Sequence, residues 1–404
     1  MNSKIEFKEK FLQNDLSKTL EQEKNEYKEI QKNYHTMLSN ETKDSIGIIT
    51  NFSPQTGPGR YAYQLFREIK KTKKTDLVLC TESPEKEYDP EICVVFGKKY
   101  PLFSKTLNAY YIYPKKIPEF KLYHATNHFL GRIAETKKPC IVSILDLYFT
   151  ESNKHSPFFS RLLAKKAIEH AKKAEAIITL SETAKKQICE KIGLHEDKVF
   201  VTYMGVDFVK FKPYNKEFSR KKTSLPLDKK IILYVGSERE VRENSENVVK
   251  SFHEVHKKQK DILLVKIGKK SSHITVLIKQ LELEKNIVRI ERAPEKLLQY
   301  YYASADVFLG LDMESGYSLA VLESMACGTP VLCSDREQFN EIIGSKGMTA
   351  DPLNPTDISA KLLRLLEEPE KLAKMSKCGL ELVRQYSWNK TAMQTLKVYD
   401  KVGE

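Results

Sequence analysis

The stretch Asp312 to Asp335, DMESGYSLAVLESMACGTPVLCSD, constrains the fold of this chain more than any other. Leu319, Leu322, Met325 and Ala326 recur at helical spacing, Ser318 stands at the N-cap position, and Gly328 with Pro330 supplies the stop expected just past a helix end. Ala305 to Leu311 before it and Pro-Val-Leu-Cys-Ser after it read as short buried strands, so the helix joins two parallel strands in a βαβ unit. The helix opens at a small-residue turn, Ser315-Gly316, where unpaired backbone N–H groups and the positive end of the dipole face whatever sits above the strand ends. Such a turn is either an anion site, with Glu323 as a polar reader on the same helix, or an ordinary α/β crossover. Spacing alone does not decide between them.

A chain of 404 residues exceeds what one hydrophobic core serves, so two domains are expected. The formal charge of +13 is spread through pairs such as Lys70-Lys71, Lys165-Lys166 and Lys185-Lys186 rather than gathered in a block. Solvated helix faces explain that pattern better than nucleic-acid binding, which would rest on charge alone. The seven cysteines include no CxxC pair and sit mostly among apolar residues, which points to reduced thiols in a cytoplasmic protein without a structural zinc. The N-terminus is charged from the start and no apolar run nears the ~20 residues of a spanning helix, so membrane contact is expected to be peripheral at most.

Strand and helix patterns alternate from Ile46 onward. Ile46 to Thr50 runs into NFSPQTGPGR and a helix marked by Tyr61, Leu65, Phe66 and Ile69, with Gly57 and Gly59 permitting close backbone approach. Apolar runs at Leu77 to Leu79, Cys93 to Phe96, Lys121 to His124, Cys140 to Leu145 and Ala176 to Leu180 suit a doubly wound sheet. Ligands in such sheets gather at the C-terminal strand ends, which here carry His124, Asp146 and Ser181-Glu182. His124 reads equally as a satisfied structural histidine or a ligand contact. Phe211 to Leu227, with Pro213, Pro226 and Arg220-Lys221-Lys222, reads as a linker, after which Ile231 to Val235 opens a second sheet. Residues 1–44 carry Tyr27, Ile30, Tyr34, Met37 and Leu38 at helical spacing; packing on the body, on a second subunit or on a membrane surface all fit this amphipathic extension.

Gly316-Tyr317-Ser318-Leu319-Ala320-Val321-Leu322-Glu323 and the following Ser-Met-Ala-Cys-Gly-Thr-Pro-Val resemble the nucleotide-sugar segment of the GT-B glycosyltransferases of family 4. Gly57-Pro58-Gly59-Arg60-Tyr61, Leu122 to Asn127, Ile144 to Leu147, Ile177 to Glu182 and Tyr203 to Asp207 are similar to further segments of that family, and the resemblance covers Ile46 to Val402. It implies an α/β GT-B fold of two Rossmann-like doubly wound domains facing across a cleft. Residues 1–44 would form the helical extension, 45–215 the acceptor-side domain, 216–386 the donor-side domain, and 387–404 a helix crossing back.

The resemblance further implies a retaining transfer from a nucleoside-diphosphate sugar to a hydroxyl on a glycan, lipid-linked glycan or small molecule, with no metal or other cofactor. Glu314, Asp146 and His124 are the catalytic candidates; Gly57, Gly59, Arg60, Arg239, Arg242, Ser315, Gly316, Tyr317, Ser318, Leu319 and Glu323 are the donor-binding ones. Arg239 and Arg242 would hold the diphosphate and Glu323 the ribose hydroxyls. The expected partners are the nucleotide sugar and a carbohydrate or lipid-linked acceptor; peripheral contact with an anionic membrane and an oligomer built through the extension also fit, and nucleic acid does not. Three departures stand out: Leu145 where the family has His, Glu243 where it commonly has Lys, and Ser315 eight positions before Glu323, where it has Glu. Glu314, one position earlier on the same loop, is the candidate to replace that carboxylate. A catalytically weakened shell that only binds nucleotide sugar is the alternative reading.

Overall fold

A computed structural model describes residues 42–54, 56–72, 74–81, 93–94, 108–147, 158–238, 241–313 and 317–403. Most of the expected N-terminal extension, the carboxylate candidate Glu314, its neighbours Ser315 and Gly316, and Arg239 lie outside the described residues.

Continuous apolar runs become parallel strands because they are buried on both faces. Strands β1 (Ile46–Thr50), β2 (Leu77–Thr81), β3 (Cys93–Val94), β4 (Leu122–Ala125), β5 (Cys140–Ser143), β6 (Ala176–Thr179) and β7 (Val199–Val201) form a sheet in the order β3-β2-β1-β4-β5-β6-β7. Strand β1, buried throughout, pairs in parallel with β2 on one side and β4 on the other. A second sheet has the order β10-β9-β8-β11-β12-β13, from β8 (Lys230–Val235), β9 (Ile262–Ile267), β10 (Ile287–Ile290), β11 (Val307–Gly310), β12 (Val331–Ser334) and β13 (Met348–Ala350). Its pairings are parallel. Ile231, Leu233 and Phe308 enter one apolar cluster, whereas Ile232, Tyr234, Val307 and Leu309 enter another. That alternation along single strands is the mark of a sheet with packing on both faces, the doubly wound arrangement expected of a GT-B fold.

By contacts the described residues group into two compact units, one within Met1–Ser143 and Leu162–Glu175 and the other within Ile144–Arg161 and Ala176–Val402. In the first, the helix Gly57–Thr72 buries Tyr61, Leu65, Phe66 and Ile69 and ends on Lys70 and Lys71, which suit its negative pole. Gly59 is required there, since a Cβ would stand 1.9 Å from the Ser53 carbonyl oxygen.

The stretch Phe211 to Leu227 is not an open linker. It contains the helix Lys216–Thr223, capped by the Asn215 side chain accepting from Phe218 N and closed by Ser224 in the left-handed region. Arg220, read from sequence as one of a basic trio, is buried and donates to the carbonyls of Ser304, Leu227 and Lys229 and to Asp306. Strand β13 escaped the sequence reading because three residues at a sheet edge carry no apolar run.

Candidate active site

In the second unit the opening segment folds as a helix, Leu319–Ala326, between the parallel strands β11 and β12. Ser318 is its N-cap residue with φ −106° and ψ 94°, but its side chain makes no capping bond, so the first-turn N–H groups are left without that partner. Leu319 begins the helix half-buried. Tyr317, just before it, donates its hydroxyl to the Met204 carbonyl at 2.8 Å. Glu323 is 3% exposed and its Oε2 accepts from the Tyr302 hydroxyl at 2.9 Å, which fixes the carboxylate on a defined side of the helix.

The chain leaving β8 and the chain leaving β11 are fastened together. Asn244 adopts the left-handed conformation (φ 56°) and donates to the carbonyls of Leu311 at 3.0 Å and Pro352 at 2.7 Å. Met313 N donates to the Arg242 carbonyl at 2.8 Å, and Ser334 Oγ to the Asp312 carbonyl at 2.6 Å. This stitching holds Arg242 at the C-terminal end of the sheet, where its Nη1 lies 3.6 Å from Asp146 Oδ2 and its Nε 3.9 Å from Glu243 Oε1. Two residues singled out separately in the sequence, Arg242 and Asp146, are therefore brought together as a half-exposed ion pair. Leu145, beside Asp146, is buried.

The other expected residues lie in the first unit. Gly57 begins the helix Gly57–Thr72 and a Cβ there would meet nothing within 4 Å, so its face is open, in contrast to the crowded Gly59. Arg60 is half-buried in the first turn. His124 is fully buried at the end of β4, with Nε2 2.8 Å from Ser143 Oγ, which lies 3.1 Å from the Tyr61 hydroxyl. Burial pulls its pKa down to about 3, so the ring is neutral at physiological pH. Beside it Asn127 donates to Asn51 Oδ1 at 2.8 Å, fixing the chain that leaves β1.

Sequence reasoning missed Asn244, Tyr302 and a buried charged group formed by Lys266, Glu238 and Arg289. The one available signal was Lys266 itself, a single charge inside the apolar run LLVKI.

A chain of two parallel α/β sheets with an arginine and a helix N-terminus at the strand ends fits the arrangement expected of a GT-B protein. Comparison with known proteins gives the family. The profile described as "Glycosyl transferases group 1" matches residues 215–381, and that described as "Glycosyltransferase Family 4" matches 56–210. The O-antigen chain mannosyltransferase B of Escherichia coli is 25% identical over 380 residues, covering 86% of this chain and 96% of that protein. A D-inositol 3-phosphate glycosyltransferase of Thermobispora bispora is 24% identical over 276 residues, 65% of this chain and 64% of that one. Among solved structures, sucrose-phosphate synthase from Thermosynechococcus elongatus superposes with a TM-score of 0.75 at 20% identity, covering 89% of this chain and 99% of that one. Anabaena HepE in complex with UDP-glucose gives 0.71 at 13% identity, covering 88% and 99%. The chain belongs to the family-4-like GT-B glycosyltransferases and is an enzyme that transfers sugar from an activated donor.

Proposed function

We propose that this enzyme uses a nucleoside-diphosphate sugar as donor and transfers the sugar to a hydroxyl acceptor with retention of anomeric configuration. The observation that carries the reading is Arg242, held by the Asn244 and Met313 hydrogen bonds at the C-terminal end of the second sheet, the end at which doubly wound sheets bind their ligands. HepE, a protein of the same fold, is solved with UDP-glucose, which supports the same donor class here.

In the reaction the bond from the anomeric carbon to the diphosphate breaks and a bond from the acceptor oxygen forms on the same face. The departing diphosphate takes the electron pair and helps remove the acceptor's proton. Arg242, with Arg239 and the first-turn N–H groups of the helix Leu319–Ala326, would meet the developing charge, so no metal is required. Glu323 would accept the ribose hydroxyls while Tyr302 keeps its other oxygen placed. Glu314 would stand beside the donor sugar and Asp146 would orient Arg242. His124 would act as a positioning residue through Ser143 and Tyr61. We place the boundary between acceptor-side and donor-side domains near residue 215.

A pair of variants tests these roles. Glu314→Gln is expected to lower turnover by about tenfold, or ~1.4 kcal/mol of transition-state stabilisation, with nucleotide affinity nearly intact. Glu323→Ala is expected to weaken nucleotide binding itself. Equal turnover in wild type and Glu314→Gln would remove that carboxylate from the mechanism. Among the described residues no helix is long and apolar enough to cross a membrane. A glycan or lipid-linked acceptor reached from the aqueous side, with at most peripheral membrane contact, fits that observation.

A further inference from the structure

Lys266 lies in the middle of the apolar strand β9 and is 1% exposed. A buried ammonium is costly unless its charge and its donors are met. Here Nζ donates to the Gly236 carbonyl at 3.1 Å, stands over the Tyr234 ring at 4.5 Å from its centroid, and lies 4.0 Å from Glu238 Oε1. Glu238, equally buried, accepts from Arg289 Nε at 2.9 Å, from Arg289 Nη2, and from Ser271 N at 2.7 Å. Gly236 and Glu238 are the residues by which the chain leaves β8 on its way to Arg242. Gly236 N is further tied to the Ile267 carbonyl at 2.9 Å, and a Cβ on Gly268 would sit 2.1 Å from the Gly236 oxygen, so this exit rests directly on β9.

We propose that Lys266 is a positioning residue for donor binding: its ammonium fastens the exit of β8 at the Gly236 carbonyl and offsets the carboxylates around it, among them Glu243, the neighbour of Arg242. The inference rests on the nucleoside-diphosphate reading above. The groups that act on Lys266 are Tyr234 from β8, Glu238 and Glu243 from the segment that follows it, Arg289 from β10 and Asp312 from beyond β11. Without the lysine's charge, the three carboxylates Glu238, Glu243 and Asp312 are met only in part by Arg289 and Arg242, and the excess negative charge opposes binding of a diphosphate at Arg242. Burial pulls the Lys266 pKa down to about 8, against the opposing pull of Glu238 and Glu243. The ammonium is therefore present below pH 8 and is lost as pH rises through it, so anion binding weakens in that direction. The Tyr234 phenol is pushed well above its ordinary value by burial and stays neutral in this range. A terminal phosphate, with its second pKa near about 6, is already fully ionised there.

The test is calorimetric titration with UDP, GDP and ADP at pH 7 and pH 9, on wild type, Lys266→Arg and Lys266→Met. One pH unit above the lysine's value only about a tenth of it remains charged, so the nucleotide that binds should lose about tenfold in affinity in wild type. Lys266→Arg should hold its affinity at pH 9, because guanidinium does not titrate there. Lys266→Met should bind weakly and equally at both values. A lysine serving stability alone would leave the pH profile of binding unchanged. A flat wild-type profile, or the same fall in Lys266→Arg as in wild type, would overturn the inference while leaving the donor reading intact. If no nucleotide bound wild type at either pH, the donor reading would fall and this inference with it. Should the variants fail to fold, the wild-type profile still decides.

Discussion

Arg242→Ala is expected to weaken nucleoside-diphosphate binding by about tenfold to a hundredfold, and donor kcat/KM by a similar factor. A hydrogen bond to a charged group contributes about 1.5–3 kcal/mol, and each ~1.4 kcal/mol is a factor of ten. The fold should survive the change. The side chain's ion pair with Asp146 is partly exposed, and exposed pairs are worth about 0–1 kcal/mol, while the stitching of the strand exits runs through the Arg242 backbone and Asn244. If Arg239 shares the anion, the double variant should lose more than Arg242→Ala alone. Titration calorimetry against wild type reads the effect, and unchanged affinity in the double variant would mean the diphosphate is anchored elsewhere.

The larger effect on stability belongs to Arg220. Its guanidinium is almost fully buried and saturates three backbone carbonyls together with Asp306, whose Oδ2 also accepts from Ile231 N at the start of β8. Arg220→Ala deletes a donor from each of the four acceptors at once and, among the described residues, leaves Asp306 with the exposed Lys216 as its remaining ionic partner. Breaking a buried pair from one side costs about 3–5 kcal/mol, so the denaturant midpoint should fall sharply. Arg220→Lys should recover little of it, since an ammonium cannot reproduce the forked geometry. A loss under about 1 kcal/mol would show that the helix Lys216–Thr223 is not a structural tie.

These two arginines show what was legible in the sequence. Arg242 was singled out because motif position and a strand end coincide, and the structure places it at that end of the sheet; its part in donor binding is the proposal above. Apart from β13, the strands named from the sequence were read within a residue or two over the described residues, because runs buried on both faces carry their own signal. Arg220 was misread because a basic trio between two prolines looks solvated unless one knows that a helix turns one of the three inward. Asn244 was invisible because a left-handed residue inside a polar segment leaves no periodicity, and its carbonyl partners at 311 and 352 are distant in sequence. Lys266 was visible as an anomaly, a lone charge in an apolar strand, but its partners Glu238 and Arg289 come from other strands and only tertiary structure joins them.

The most direct test of the central claim is thermal unfolding of the wild-type protein with millimolar UDP-, GDP- and ADP-sugars, coupled to detection of released nucleoside diphosphate. Preferential binding to the folded state at a hundred times Kd stabilises by about 2.7 kcal/mol, so at least one donor series should raise Tm by a few degrees and be consumed when an acceptor is supplied. An unfolding transition unmoved by all three series, with no nucleoside diphosphate released, would contradict the assignment of a nucleoside-diphosphate sugar as donor.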